Sequence, residues 1–234
     1  MYLLYMQSLR TLSSDTCTYA EFLSTWCKFF QYKTIVELGV ATGDTTLKLC
    51  EAARTNGGRV FAYDIFETCP GYLIPFSTRE AVEARLMGSF DVSLFKVTKA
   101  DSRSDSFTSL LKSDTGGTID FAFIDAAHSY EGTKNDFLKV YPLLAEDGTI
   151  AIHDTYNHNG SRRFAMDLYG DLNDGTFDVM NLPYGYGNDR YGMTVLTKRT
   201  FPLYPSGITN CNHDPISAQE IYAAEDVWYK KQTR

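Results

Sequence analysis

What this chain lacks constrains its reading before any motif is considered. Basic charge is not in excess: 22 Lys and Arg stand against 29 Asp and Glu, a formal net charge of −7. A phosphate-backbone partner calls for a concentrated basic face, so no nucleic acid is expected among its partners. Paired cysteines are missing too. Cys17, Cys27, Cys50, Cys69 and Cys211 are odd in number and contain no C-x-x-C, which speaks against a disulfide framework or structural zinc and for a reducing, cytoplasmic setting. There is no long apolar run. The opening Met1-Tyr2-Leu3-Leu4-Tyr5-Met6 lacks a basic flank and stops at Gln7, which predicts neither a secretory leader nor a membrane span. The G-x-G-x-x-G turn of dinucleotide dehydrogenases is also absent.

What is present centres on Thr34 to Thr46. An apolar burst at Ile35-Val36 runs into Glu37-Leu38-Gly39-Val40-Ala41-Thr42-Gly43, and Asp44-Thr45-Thr46 opens an amphipathic run with apolar Leu47, Leu49, Cys50 and Ala53. A β-branched strand, a turn eased by Gly39 and Gly43, and a helix capped by Asp44 or Thr45 form a cradle for a nucleotide-like cofactor. Such a unit needs an acid for ribose hydroxyls at the end of its second strand. Arg59 to Tyr63 is the next strand-like run, and Asp64 ends it, twenty-one positions beyond Gly43.

The remaining pattern predicts an α/β fold: a doubly wound, mostly parallel, seven-stranded sheet closed by a C-terminal antiparallel strand pair. The 234 residues suit a single domain, divided into an N-terminal helical cap (1–33), a core (34–198) and a C-terminal extension (199–234). Tyr19, Phe22, Leu23, Trp26 and Phe29-Phe30 read as a packing helix before the first strand. Ser77-Thr78-Arg79-Glu80 reads as a capping box, Val92 to Val97 as the third strand and Ile119 to Ile124 as the fourth. Asp147-Gly148 reads as a turn into a fifth strand, Thr149 to Ile152. Helices are expected near Phe107–Leu111, Tyr130–Tyr141, Gly160–Leu172 and from Ser217. Phe177 to Leu182 and Tyr191 to Thr197 lie too close in sequence for a helical crossover and should pair antiparallel.

Ligands in such sheets collect at the carboxyl ends of the strands, where Asp64, Asp101, Asp125 and Asp154 fall. Asp125 and Asp154 end consecutive strands. As neighbours ~4.8 Å apart they would share one point, which suits a divalent metal such as magnesium. Alternatively, Asp125 orients a cofactor and Asp154 caps the next segment. The third ligand stays open among His153, Thr155 and Asn157. His128, three positions beyond Asp125, has the ordinary pKa of a general base, ~6.5; a structural, hydrogen-bonded histidine is the other reading. Glu37, charged within an apolar strand, needs a hydrogen-bond donor from the loop or a ligand amine.

Together, Val36 to Gly43, Asp64, Phe123-Ile124-Asp125-Ala126-Ala127-His128-Ser129-Tyr130-Glu131 with Asp136, Gly148 and Ile152-His153-Asp154-Thr155 resemble a class I S-adenosylmethionine-dependent methyltransferase. The likeness is to the branch of catechol, sugar and macrolide O-methyltransferases and covers about residues 34–198. It implies S-adenosylmethionine as cofactor and a small hydroxylated substrate, sugar or phenol. It implies that Glu37, Gly39, Gly43 and Thr45 line the methionine end of the cofactor, that Asp64 holds the ribose and that Asp101 and Ser102 flank the adenine. Asp125 then touches the cofactor as well, acts with His128 in catalysis, and shares a metal with Asp154. Two positions depart from the catechol pattern: Thr155 stands where an asparagine is usual, and His128 where a lysine is usual. A nicotinamide oxidoreductase and a non-catalytic, cofactor-binding partner protein are the competing readings. There is no N-P-P-Y or D-P-P-Y run of the kind typical of amino-group methylation. A homo-oligomer is compatible with all of these readings.

Overall fold

The structure is a computed structural model that describes residues 15–67, 77–183, 185–186 and 189–199. A helix, α1 (Asp15–Phe30), precedes the first strand, β1 (Thr34–Leu38). There follow α2 (Asp44–Asn56), β2 (Arg59–Asp64), α3 (Arg79–Met87), β3 (Phe95–Lys99), α4 (Phe107–Thr115), β4 (Ile119–Ile124), α5 (Tyr130–Val140), β5 (Leu144–His153) and α6 (Asn159–Tyr169). The last strands are β6 (Phe177–Leu182), the two-residue β7 (Gly185–Tyr186) and β8 (Asp189–Arg190), and β9 (Met193–Lys198).

Seven strands form one sheet in the order β3-β2-β1-β4-β5-β9-β6. The first five are mutually parallel, and β9 runs antiparallel to both β5 and β6, as the close spacing of the last two strands predicts. Alternation along β1 shows how the layers arise. Ile35 joins the core under α1, α2 and α3, whereas Val36 and Leu38 join the core under α4, α5 and α6. Both faces of the parallel strands are covered, so the central strands β1 and β4 are apolar over most of their length. The chain reverses its winding between β1 and β4, which opens a crevice at the carboxyl ends of those strands.

Several local expectations shift. Val92 to Leu94 is a 3-10 turn: the Asp91 carboxylate accepts from Ser93 N at 2.9 Å, and the strand starts only at Phe95. Thr78 caps α3 by accepting from Ala81 N at 3.2 Å, one position later than the Ser77 box. Helix α2 is capped by neither Asp44 nor Thr45; Gly43 occupies the cap with φ 80. Asp147 (φ 60) and Gly148 lie inside β5 at a register shift, where a turn was expected. The helix expected from Ser217 lies outside the described residues.

The amino end of β1 is fixed by one side chain. Asp120 Oδ2 accepts from Lys33 N and Thr34 N, each at 2.8 Å. Asp120→Ala leaves both amides without that partner and is expected to lower stability by ~1–3 kcal/mol, read from urea unfolding midpoints. A change within error would show that water replaces the carboxylate without loss.

Candidate active site

The turn after β1 is built by close approach. Gly39 (φ 89) donates its N–H to Tyr63 O at 2.9 Å, and a Cβ there would meet Asp125 O at 2.2 Å. Gly43 closes the turn onto Val40 O at 2.8 Å, and a Cβ on it would meet Val82 of α3 at 2.9 Å. Asp64 holds the turn from below: Oδ2 accepts from Val40 N at 2.7 Å and Ala41 N at 3.0 Å, and Oδ1 from Phe66 N at 2.7 Å. The predicted ribose acid is therefore also the anchor of the loop, and both its oxygens already serve backbone amides.

Glu37 is fully buried on the α2 side of β1 and accepts from Thr46 Oγ1, while its other oxygen has no hydrogen bond among the described residues. Burial holds its carboxyl well above the usual range despite the Thr46 bond, and the charges of Asp125 and Asp64 push the same way. Thr45, expected at the ligand, donates to Tyr19 Oη of α1 at 3.1 Å. Asp101 and Ser102 follow β3. The Asp101 carboxylate is engaged by Arg103, and Ser102 O accepts from Asn135 Nδ2 of α5 at 3.2 Å.

At the ends of β4 and β5 the pairing aligns Ile124 with Ile152, so His153, rather than Asp154, stands beside Asp125. A left-handed residue at Asp154 (φ 58) returns its carboxylate to the same point. His153 Nδ1 lies 3.3 Å from Asp125 Oδ1 and 3.3 Å from Asp154 Oδ1. His128 Nε2 lies 3.2 Å from Asp125 Oδ1 and 3.2 Å from Asp154 Oδ2, and His158 Nε2 3.7 Å from Asp154 Oδ2. Burial alone would raise the Asp125 pKa; the charge of His153 and hydrogen bonds from both histidines override it, to about 2. Burial likewise disfavours an imidazolium at His153, yet Asp125 and then Asp154 push its pKa up to about 10. The same balance raises His128 above the ordinary imidazole value.

Three placements complete the cluster, the first of them an open candidate for the third ligand. His153 is central because strand alternation turns it toward α1, where the Tyr19 ring covers it at 4.4 Å between centroids. Tyr19 itself was read as core, and its spacing in a helix carries no sign of this contact. His158 stacks on His128 at 4.3 Å. Of the open candidates for a third ligand, Thr155 accepts from Thr194 Oγ1 at 3.1 Å, which ties it to β9. Tyr184 and Tyr186, expected as pocket walls, have side chains outside the described residues.

With this geometry in hand, the comparisons are informative. A family described as a methyltransferase domain matches residues 36–155, just over half of the chain, from β1 to the residue after Asp154. The chain belongs to this methyltransferase family. Comparison with the curated proteins found no match. Among solved structures, it is similar to an O-methyltransferase from Bacillus cereus in complex with S-adenosylhomocysteine, at 16% identity, TM-score 0.63, covering 85% of this chain and 89% of that one. It is also similar to the O-methyltransferase TomG of Streptomyces achromogenes, involved in tomaymycin synthesis and solved with S-adenosylmethionine. There the identity is 17%, the TM-score 0.60 and the coverage 78% and 80%. A putative caffeoyl-CoA O-methyltransferase from Staphylococcus aureus matches at 13% identity, TM-score 0.56 and coverage of 77% and 83%. At these identities the likeness is one of fold, and the expected Rossmann-like methyltransferase sheet is borne out. Among the described residues, no helix of this methyltransferase is long and apolar enough to cross a membrane.

The raised carboxyl of Glu37 has a consequence for stability. A folded pKa above the unfolded one favours the native state at low pH, and that contribution is lost as pH rises above the unfolded value, ~4.5. Glu37→Gln should flatten the decline in melting temperature across that range, followed by thermal unfolding at a series of pH values. An unaltered slope would show that Glu37 is not its source.

Proposed function

We propose that this methyltransferase moves a methyl group from S-adenosylmethionine to a hydroxyl of a small molecule, a sugar or a phenol. One observation carries the reading: Gly39 of the glycine turn presses on the backbone of Asp125, so the cofactor cradle and the acid–imidazole cluster share a wall. The cradle suits the cofactor on two counts. The turn tolerates no Cβ at Gly39, and the buried, unbonded Glu37 oxygen is an acceptor for an ammonium or a loop amide. Glu37, Gly39, Gly43 and Thr45 are assigned to the methionine end, Asp64 to the ribose, and Asp101 with Ser102 to the adenine.

When bound, the cofactor supplies a sulfonium methyl, an electrophile that needs a deprotonated acceptor in line with it. Positioning of this kind contributes up to ~7–11 kcal/mol. His128 is the group that takes the acceptor's proton, at Nδ1, while its Nε2–H, 3.2 Å from Asp125 Oδ1, orients the ring and lets Asp125 stabilise the charge that results. Asp125 and Asp154 are the acidic pair for a divalent cation, which would lower the hydroxyl pKa. Their fit rests on two convergent carboxylates and on Asp154 Oδ1, which is buried and, among the described residues, has the His153 ion pair at 3.3 Å but no hydrogen bond. Cys27 and Cys50 are buried free thiols, in keeping with a cytoplasmic setting.

Calorimetry with S-adenosylmethionine and S-adenosylhomocysteine tests the reading, and no heat from either would defeat it. Asp64→Ala should weaken binding of the demethylated nucleoside about 10- to 100-fold, the loss of one or more charge-assisted hydrogen bonds, with circular dichroism unchanged. Affinity equal to wild type would remove Asp64 from the ribose site.

A second prediction follows from Glu37. An ammonium brought beside its carboxyl lowers the raised pKa, so binding should release a proton at pH values where the ligand-free carboxyl still holds one. Titrations in two buffers of different ionisation enthalpy should show this release for wild type and not for Glu37→Gln. Equal apparent enthalpies in the two buffers for wild type would place the ammonium elsewhere.

A further inference from the structure

The identity of the cation can be argued further, on the footing of the methyl-transfer reading above. A hard ion such as magnesium favours a shell made entirely of oxygen. The residues here offer a different shell. One donor atom each from Asp125, His153 and Asp154 lie within 4.8 Å of one another, and the imidazole nitrogen is 3.3 Å from either carboxylate. Metal–ligand bonds of ~2.0–2.2 Å put adjacent donor atoms ~3.0–3.4 Å apart, a range that both nitrogen–oxygen separations meet.

The imidazole is fixed there. Its residue ends β5 in register beside Asp125, and its ring lies against Tyr19 at 4.4 Å, Phe123 at 5.9 Å and Tyr191 at 6.2 Å. An ion between the two carboxylates therefore meets Nδ1. Thr155, which could have supplied another oxygen, is committed to Thr194. A second set, His128, Asp154 and His158, shares Asp154. It is more exposed and carries one carboxylate, so it neutralises a dication less well.

We propose that the ion is a first-row transition-metal dication bound through Asp125, His153 and Asp154 in preference to magnesium. His128 Nε2, 3.2 Å from Asp125 and from Asp154, is the competing nitrogen, and the His153→Asn variant below separates the two. The nitrogen donor sets the preference, since imidazole suits such ions and magnesium seeks oxygen.

The test uses chelator-stripped, full-length protein titrated separately with manganese chloride and magnesium chloride, and S-adenosylhomocysteine titrated into the metal-free sample. Manganese should bind roughly 100-fold more tightly than magnesium, and electron spin echo spectra of the manganese-loaded protein should carry the nitrogen modulation of a coordinated imidazole. His153→Asn should abolish that modulation and weaken manganese binding by about 10-fold or more, while His158→Ala keeps both. Absence of manganese binding, equal affinity for the two ions, no nitrogen modulation in wild type, or modulation that survives His153→Asn each overturns the assignment. Should His153→Asn not fold, the wild-type selectivity and modulation decide. Ion selectivity without nucleoside binding would defeat methyl transfer and leave this site standing. Nucleoside binding without selectivity would defeat the ion assignment alone.

Discussion

Asp125 N donates to Leu38 O at 2.8 Å, and the rim of the sheet depends on that bond. It ties the end of β4 to the end of β1 one residue before Gly39, whose own N–H is spent on Tyr63 of β2. Three strand ends are thus stitched into one edge with no room for a side chain at Gly39. The turn that cradles a ligand and the carboxylate that organises the histidines come from segments almost ninety residues apart. Their spacing is nevertheless fixed by two backbone hydrogen bonds and one missing Cβ, none of which depends on a flexible side chain. A site meant to hold two reactants in line gains from such an origin, because small displacements are costly in rate.

The same edge gathers carboxylates that would repel one another if all were ionised and bare, and each is accommodated differently. Asp64 is satisfied by three backbone amides. Asp125 and Asp154 are compensated by imidazoles, which keeps Asp125 ionised. Glu37, with a single hydroxyl donor and complete burial, retains its proton more readily than an ordinary glutamate. Breaking a buried, compensated pair from one side leaves an isolated charge, a loss of several kcal/mol. The cluster is therefore coupled, and substitutions within it should not act additively.

Most of the architecture could be read from the sequence, because it follows from periodicities a sequence displays: apolar strands, amphipathic helices between them, and a last strand pair too closely spaced for a crossover. Asp125 and Asp154 were legible as neighbours for the same reason. Register was not. Whether His153 or Asp154 faces Asp125 depends on a bulge at Asp147-Gly148 and a left-handed residue at 154, both set by tertiary contacts. The caps misread at Asp44 and Thr45 fail for a similar cause. Those side chains have competing partners, Arg85 for Asp44 and Tyr19 for Thr45, which lie far away in sequence.

Helix α1 shows most clearly how a remote segment enters a site. By composition it is a packing helix, and most of it behaves as one: Phe22, Trp26, Phe30 and Tyr32 form a run of ring contacts that ends on Phe121 of β4. That run fixes the helix along its length, and Lys48 of α2 reinforces it with an ion pair to Glu21 at 2.6 Å. Tyr19 is the consequence. Held by Thr45 and tilted against the His153 ring, it shields the imidazole from water and lowers the local dielectric, so the attraction between His153 and its two aspartates is felt at closer to full strength. The helix before the first strand supplies no charge to the site, yet by covering one ring it sets how strongly the charges there interact.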